Sequence, residues 1–154
     1  MNNKESVEIG TRTKTELQKE MKENFQISPY ARSMMKSKDF VVAKKPAQID
    51  FVRLSVKGLG FENGASTKEL YDKAEELGFK FCPAEMGPQL RIKYRQQPLN
   101  ERLYIFMQPI LGPDDRPAIF YIMHGKEGLW LHGGWARPTD HWLATTQLCF
   151  IEKI

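Results

Sequence analysis

Several hallmarks of common protein classes are missing from this chain of 154 residues. It contains only two cysteines, Cys82 and Cys149, which excludes a disulfide-rich scaffold; in a reducing compartment we expect two thiols, although a disulfide between them stays open. No apolar run approaches the roughly 18 residues that a membrane-spanning helix needs, so we expect no membrane partner. Residues 1–6 are polar, without the hydrophobic segment of a secretory signal, which favours a cytoplasmic location.

Motifs for metal ions and for nucleotide phosphates are missing too. The three histidines, His124, His132 and His141, form neither an i, i+4 pair nor a Cys/His cluster with the spacing of structural zinc sites. The glycine-rich residues 58–64 precede a predicted helix, but they lack the lysine that follows the last glycine of a phosphate-binding loop. The sequence therefore predicts no cofactor and no metal ion, and it excludes a P-loop nucleotide hydrolase.

The overall composition is that of a folded domain. Hydrophobic residues make up 41% and charged residues 27% of the chain, and a chain of this length buries enough apolar surface for its own core. We therefore predict a single domain over residues 1–154. The formal net charge is +4, and most of the excess lies in the first 50 residues, where acids are interspersed. Such a surplus is compatible with an anionic partner but differs from the dense clusters of dedicated nucleic-acid-binding proteins.

Two helix start signals lie near the N-terminus. Thr13 and Glu16 have the spacing of a capping box, and apolar residues then recur at every fourth position, which predicts a helix to about Asn24. Ser28 followed by Pro29 predicts the start of a second, short helix. Residues 11–37 are therefore predicted to form a helical pair, or an arm that covers the rest of the molecule or a second copy of it, so a homodimer is possible.

Residues 48–154 are predicted to form an α+β core. Ser66 and Glu69 form a capping box and Gly78 follows as a terminator, which predicts a helix over residues 67–77. Alternating apolar and polar residues predict strands at 49–56, 90–95, 102–108, 118–123, 129–132 and 147–151. Because short turns separate the later strands, the predicted fold is α+β, with an N-terminal helical pair, one central helix and a mainly antiparallel C-terminal sheet.

A stiff segment at residues 81–94 is the first candidate for a binding site. Pro83, Gly87 and Pro88 restrict its backbone, and the strand predicted to follow carries a basic face. Polar side chains on such a constrained backbone suit directional contacts to a ligand. The side chains predicted to make these contacts are Glu85, Gln89 and Arg91.

A second candidate is the region from 130 to 142, which holds all three tryptophans of the chain. On a strand, Trp130 and His132 share one face, so they point outward if the neighbouring leucines enter the core. Exposed tryptophans serve to stack on ligands or to anchor interfaces, and an arginine adds a cation-π or carboxylate contact. The alternative is that the tryptophans fill the core. The predicted ligand contacts of this region are Trp130, His132, Trp135 and Arg137.

The block Cys-Pro-Ala-Glu-Met-Gly-Pro-Gln-Leu-Arg at residues 82–91 also resembles a known group of sequences. With Gly-Leu-Trp-Leu at 128–131 and Arg-Pro at 137–138, it is similar to short bacterial proteins of unknown function, in which the block reads Cys-Pro-Ala-Glu-x-Gly-Pro-Gln-Leu-Arg. Some of these proteins are labelled helicases, although this chain lacks the phosphate loop and the length of a helicase motor. The resemblance implies kinship and a bacterial origin, and it carries over no catalytic residue.

Together these features predict a non-enzymatic binding or interaction protein. Its surface would join residues 82–91 to residues 130–142 and take a small molecule or a protein. One alternative is a DNA or RNA partner held by the basic N-terminal helices, with Arg32, Lys36 and Lys38 at phosphates in a helix-turn-helix arrangement. The other is a thiol-dependent hydrolase or transferase that uses Cys82 and a histidine, although a cysteine beside phenylalanines also suits simple packing.

Overall fold

A mixed sheet forms the centre of the protein, which is seen in a computed structural model that describes residues 4–152. The strands are β1 (Glu5–Ile9), β2 (Gln26–Ile27), β3 (Ala47–Ser55), β4 (Ala65–Ser66), β5 (Phe79–Lys80), β6 (Arg102–Ile105), β7 (Ile110–Leu111), β8 (Pro117–Gly125), β9 (Gly128–Trp135), β10 (His141–Trp142) and β11 (Gln147–Glu152). The helices are α1 (Lys14–Asn24), α2 (Pro29–Lys36), α3 (Thr67–Glu76) and α4 (Met86–Lys93). The α+β class predicted from the sequence is confirmed.

The strand order of the large sheet is β1-β3-β11-β6-β8-β9-β2, with β5 beside β11 and β7 beside β8. Most neighbours are antiparallel, but β11 runs parallel to β6 and β2 runs parallel to β9. The sheet is therefore mixed, and the prediction of a mainly antiparallel C-terminal sheet is corrected. Turn signals in the sequence predict pairing only between strands that follow one another along the chain. They do not predict that the last strand, β11, inserts between β3 and β6 in the middle of the sheet.

The two N-terminal helices begin where their caps predict. Thr13 and Glu16 form the complete capping box of α1, and the hydroxyl of Ser28 caps α2. The link between the helices is not a plain turn, because Gln26 and Ile27 form β2 and pair with β9. Both helices contribute fully buried side chains to the core and are part of it. These buried side chains are Leu17, Met21, Ala31, Met34 and Met35.

The prediction of a strand at residues 90–95 is wrong, because residues 86–93 form helix α4. Six consecutive residues of α4, from Met86 to Arg91, are buried, so the helix lacks the one-sided apolar stripe by which a surface helix is recognised. Pro88 lies in the first turn, where its missing N–H costs no hydrogen bond. Gly87 faces the ring of Phe120, and a Cβ at this position would lie 2.8 Å from it.

Two helices cover one face of strands β8 and β9. Phe120 meets α4 at Gly87, and its partner across the strands, Gly133, faces Met34 of α2. The opposite face at these strands carries half-buried side chains, among them Tyr121 and His132, which are also cross-strand partners. Within residues 4–152, no helix has the length and apolar character that crossing a bilayer requires. The candidate site described below lies on this second face.

Candidate functional site

Five aromatic side chains form a continuous row across the second face of the sheet. Trp130 stacks on His132 at a centroid distance of 4.7 Å, and His132 stacks on Tyr121 at 4.9 Å. Tyr121 in turn stacks on Tyr104 at 4.5 Å, and Trp142 meets Tyr104 edge-on at 4.9 Å. We call these five residues the aromatic row. Because the four rings from Trp130 to Tyr104 cover one another's faces, their edges form a rigid wall.

Strand register explains why these rings meet. Tyr104 of β6 lies opposite Tyr121 of β8, and Tyr121 lies opposite His132 of β9. Partners across strands share a face, and Trp130 joins them because it stands two positions before His132. Leu131, which lies between them, points to the other face and is fully buried.

A cavity of about 740 Å³ opens beside the row, within the usual size range of small-molecule sites. On one edge of β9, the strand β2 pairs only with Trp130 and Leu131. Beyond Leu131, β9 pairs among the described residues only with β8 on its other edge, and the cavity lies at the edge left open. Side chains from both faces of the sheet meet at this edge. The tyrosine, tryptophan and glycine residues that line the cavity are Tyr30, Tyr104, Tyr121, Gly133, Gly134, Trp135 and Trp142.

Two glycines bring the backbone of β9 into this cavity. A Cβ on Gly134 would lie 3.1 Å from Tyr104 and 3.3 Å from Tyr121, and one on Gly133 would lie 2.7 Å from the sulfur of Met34. The strand is thus packed tightly on both faces where its outer edge is open. Main-chain groups at this edge add hydrogen-bonding capacity to a wall of rings.

One end of the cavity is electropositive. Arg102 is exposed and lies over Tyr121, 5.9 Å from its ring centroid. Burial raises the pKa of Tyr104, the nearby Tyr121 raises it further, and the charge of Arg102 opposes the rise. Burial likewise raises the pKa of Tyr121, again against Arg102. Both hydroxyls are therefore protonated and able to donate hydrogen bonds at neutral pH.

His132 is a neutral member of the row. Burial, and after it the charge of Arg102, lower the pKa of the imidazole below its usual value. Its Nε2 atom is buried without a hydrogen-bond partner. The ring therefore serves as a stacking element between Trp130 and Tyr121.

Trp135 lies at the aromatic end of the cavity. It meets Tyr30 edge-on at 4.7 Å, and the guanidinium of Arg116 lies 4.7 Å from its ring centroid. Arg137, predicted from the sequence as a ligand contact, is exposed and forms a two-pronged ion pair with Asp140. This pair raises the pKa of Arg137 and lowers that of Asp140, and Arg137 does not line the cavity.

Glu85, Gln89 and Arg91 lie in the interior, which corrects the expectation that they contact a ligand at the surface. The carboxylate of Glu85 accepts hydrogen bonds from the backbone N–H of Gly10 at 2.7 Å and of Ala43 at 2.8 Å. It also accepts one from the side chain of Gln89 at 3.0 Å. Glu85 therefore connects two loops to α4, and both its carboxylate oxygens accept hydrogen bonds from within the protein.

Arg91 is fully buried, and its guanidinium donates hydrogen bonds to main-chain carbonyls. Its guanidinium donates to Gln97 Oε1 at 2.6 Å, to the carbonyls of Met123 and Trp130 at 3.3 Å each, and to the carbonyl of Tyr94. Burial, and after it the charge of Arg95, lower its pKa to about 10, so it remains charged at neutral pH. The stiff segment and the tryptophan region thus meet through Arg91 inside the protein and do not share the cavity.

Cys82 is buried. Its thiol donates to the carbonyl of Cys149 at 3.4 Å, and burial raises its pKa to about 12. Both cysteines are free thiols. A second depression, of about 800 Å³, borders Cys82, but no histidine lines it. A thiolate nucleophile is therefore not supported.

The N-terminal helices do not form a helix-turn-helix. The two helices are separated by β2, and α2 is eight residues long, with its apolar side packed in the core. Three cations nevertheless gather around a cavity of about 320 Å³ between α1 and α2, and no acid of the described residues lines it. These cations are Lys22, Arg32 and Lys36.

Sequence reasoning missed Tyr30, Arg102, Tyr104 and Tyr121, which lie far apart in the chain and meet only through strand register and helix packing. Within residues 4–152, no cluster of three or more His, Cys, Asp or Glu side chains could hold a metal ion. No protein-family model, no curated protein and no solved structure matches this chain. Kinship with the short bacterial proteins therefore stays a prediction.

Proposed function

We propose that the protein is a non-enzymatic binding module that takes a small ligand with a planar ring into the cavity beside the aromatic row. The observation that carries the proposal is the position of the cavity, between Tyr30 and Trp135 on one side and Tyr104 and Tyr121 on the other. The rings give an apolar wall that is already rigid, so binding would cost little ordering of side chains. Hydroxyls and the open edge of β9 supply the few polar contacts that fix orientation.

Nuclear magnetic resonance on ¹⁵N-labelled protein tests this proposal, because the chain has only three indole N–H signals. We would titrate benzamide, benzoate and phenyl phosphate to about 10 mM, since ligands of this size reach a Kd of about 1 mM at roughly −4 kcal/mol. We expect saturable shifts at the Trp135 indole and at the amides of Gly133 and Gly134. The Trp130 indole does not line the cavity and should change little.

The variant Trp135→Ala, which has no indole signal at this position, should abolish the shifts at the amides of Gly133 and Gly134. Leu77→Ala is the matched control, because Leu77 is an exposed apolar residue outside the cavity. If none of the three probes shifts the Trp135 signal, or if Trp130 and Trp135 shift together without saturation, the proposal is wrong.

The cations between α1 and α2 favour a second candidate function, the binding of nucleic acid. Lys22, Arg32 and Lys36 could neutralise phosphates without competition from a lining acid. Fluorescence anisotropy with single-stranded and duplex DNA at low salt should then show binding that weakens steeply as salt rises, and weakens in a Lys22→Gln, Arg32→Gln, Lys36→Gln variant. Absence of binding at low salt rejects this candidate.

A further inference from the structure

We propose that the ligand of the cavity carries an anionic group, a carboxylate or a phosphate, which Arg102 and the hydroxyls of Tyr104 and Tyr121 hold. This inference rests on the proposed function and adds the chemical class of the ligand to it. The planar part of the ligand would lie toward Trp135, and the anionic part toward the start of β6.

The first support is the unbalanced charge of Arg102. Among residues 4–152, Arg102 forms no ion pair with a carboxylate. The carboxylate that does line the cavity, that of Asp140, is held by Arg137 at 2.9 Å. The charge of Arg102 therefore has no counter-ion in the cavity, and an arginine fork suits a carboxylate or a phosphate.

The second support is the pair of tyrosine hydroxyls beside Arg102. The rings of Tyr104 and Tyr121 stack at 4.5 Å with an interplanar angle of 29°, and as cross-strand partners both side chains lie on the same face of the sheet and line the cavity. Arg102 stands two positions before Tyr104 on β6, so it shares the face of Tyr104, and it lies over the ring of Tyr121. A protonated hydroxyl donates to an anion, and three donors from neighbouring strands would thus converge on one anionic group.

The third support is that the positive field of Arg102 already reaches the aromatic row. The charge of Arg102 lowers the pKa of Tyr104, of Tyr121 and of His132, so it favours the ionised form of each tyrosine and the neutral form of the histidine. His132 is neutral under this field, so it adds no positive charge of its own. An anion beside Arg102 would offset this field.

The experiment compares benzoate, phenyl phosphate and the neutral benzamide on the wild type and on Arg102→Gln, with the Trp135 indole signal as the readout. Lys126→Gln is the matched control, since Lys126 is an exposed cation outside the cavity, and its replacement removes the same charge. Circular dichroism before titration verifies that each variant is folded. Tyr104→Phe and Tyr121→Phe, which keep the rings, are measured in parallel.

We expect at least one of the two anions to bind the wild type about 10-fold or more tightly than benzamide, because charge-assisted hydrogen bonds are the strong ones. This preference should disappear in Arg102→Gln, persist in Lys126→Gln and weaken a few-fold in the phenylalanine variants. The stronger of benzoate and phenyl phosphate identifies the anionic group.

If benzamide binds at Trp135 as tightly as the anions, or if Arg102→Gln keeps the preference, the inference is overturned while the proposed function stands. If no probe binds at Trp135, the proposed function and the inference both fail.

Discussion

The guanidinium of Arg91 donates a hydrogen bond to the main-chain carbonyl of Trp130, at 3.3 Å. Arg91 belongs to α4 and Trp130 to β9, so this bond connects the proline-containing segment to the strand that carries the aromatic row. The carbonyl of Trp130 is thus fixed from the covered face of the sheet, while its ring stacks on the opposite face. The interior bond positions the row without contributing to the cavity.

The variant Arg91→Met should therefore lower the free energy of unfolding strongly, by about 3 kcal/mol or more, because it leaves several buried acceptors without a donor. Urea denaturation followed by tryptophan fluorescence measures this loss. Arg95→Met is the control, since Arg95 is exposed and its side chain makes only a cation-π contact with Phe25 at 4.9 Å and an exposed hydrogen bond from its Nε to the carbonyl of Ile92 at 3.0 Å among residues 4–152. We expect it to cost about 1 kcal/mol or less. Equal losses in the two variants would contradict the structural role of Arg91.

Glu85→Gln should weaken the attachment of two loops to α4. The carboxylate accepts from the backbone N–H of Gly10 and of Ala43, and an amide in its place turns an NH₂ group toward at least one of these donors. We expect a loss of about 1–3 kcal/mol in the free energy of unfolding, together with faster hydrogen exchange at Gly10 or Ala43. Glu75→Gln, at an exposed position of α3, should leave both measurements unchanged. Unchanged exchange in Glu85→Gln would contradict this assignment.

The elements that the sequence predicts well are those with a local signal. The capping boxes at Thr13 and Ser66 place the starts of α1 and α3, because the hydrogen bonds that cap a helix join residues three positions apart. Helix α4 has no such signal: the side chain of its N-cap residue, Glu85, makes no capping hydrogen bond, and six of its eight residues are buried. Its Leu-Arg-Ile-Lys-Tyr alternation therefore resembles a strand, and tertiary packing decides otherwise.

The candidate site likewise has one part with a local sequence signal and one part without. Strand alternation places Trp130 and His132 on one face, and this half of the site is accessible to sequence reasoning. The other half depends on pairing between β6 and β8, which puts Tyr104 opposite Tyr121. The hydrophobic pattern of the whole sheet sets the register between strands that are separated in sequence. No local motif at Arg102 or Tyr104 therefore predicts a cavity.

The two thiols should be inert in the folded protein. Cys82 and Cys149 are buried, and burial raises the pKa of each thiol, so the reactive thiolate is scarce at neutral pH. With Ellman's reagent at about pH 8, we expect negligible reaction of the native protein and two equivalents after unfolding in guanidinium. Rapid modification of one thiol in the native state would revive the thiol-dependent alternative. Cys82→Ser should change no binding constant of the aromatic probes.

The titration of His132 tests the electrostatics of the aromatic row directly. Burial and the charge of Arg102 lower its pKa in the folded protein, so the unfolded chain takes up the proton first when the pH falls. The stabilising contribution of neutral His132 is therefore complete above the unfolded pKa of about 6.5, and it decreases as the pH falls below that value.

Two variants separate the causes of this pH dependence. Arg102→Gln should raise the pKa of His132, measured from the proton signal of its Cε1 atom, because one of the two lowering effects is removed. His132→Phe keeps a ring that stacks between Trp130 and Tyr121 but cannot titrate, so its free energy of unfolding should vary less between about pH 7 and pH 5 than that of the wild type. If Arg102→Gln leaves the pKa unchanged, the field of Arg102 does not reach the row, and the anionic end of the cavity would lose one of its three supports.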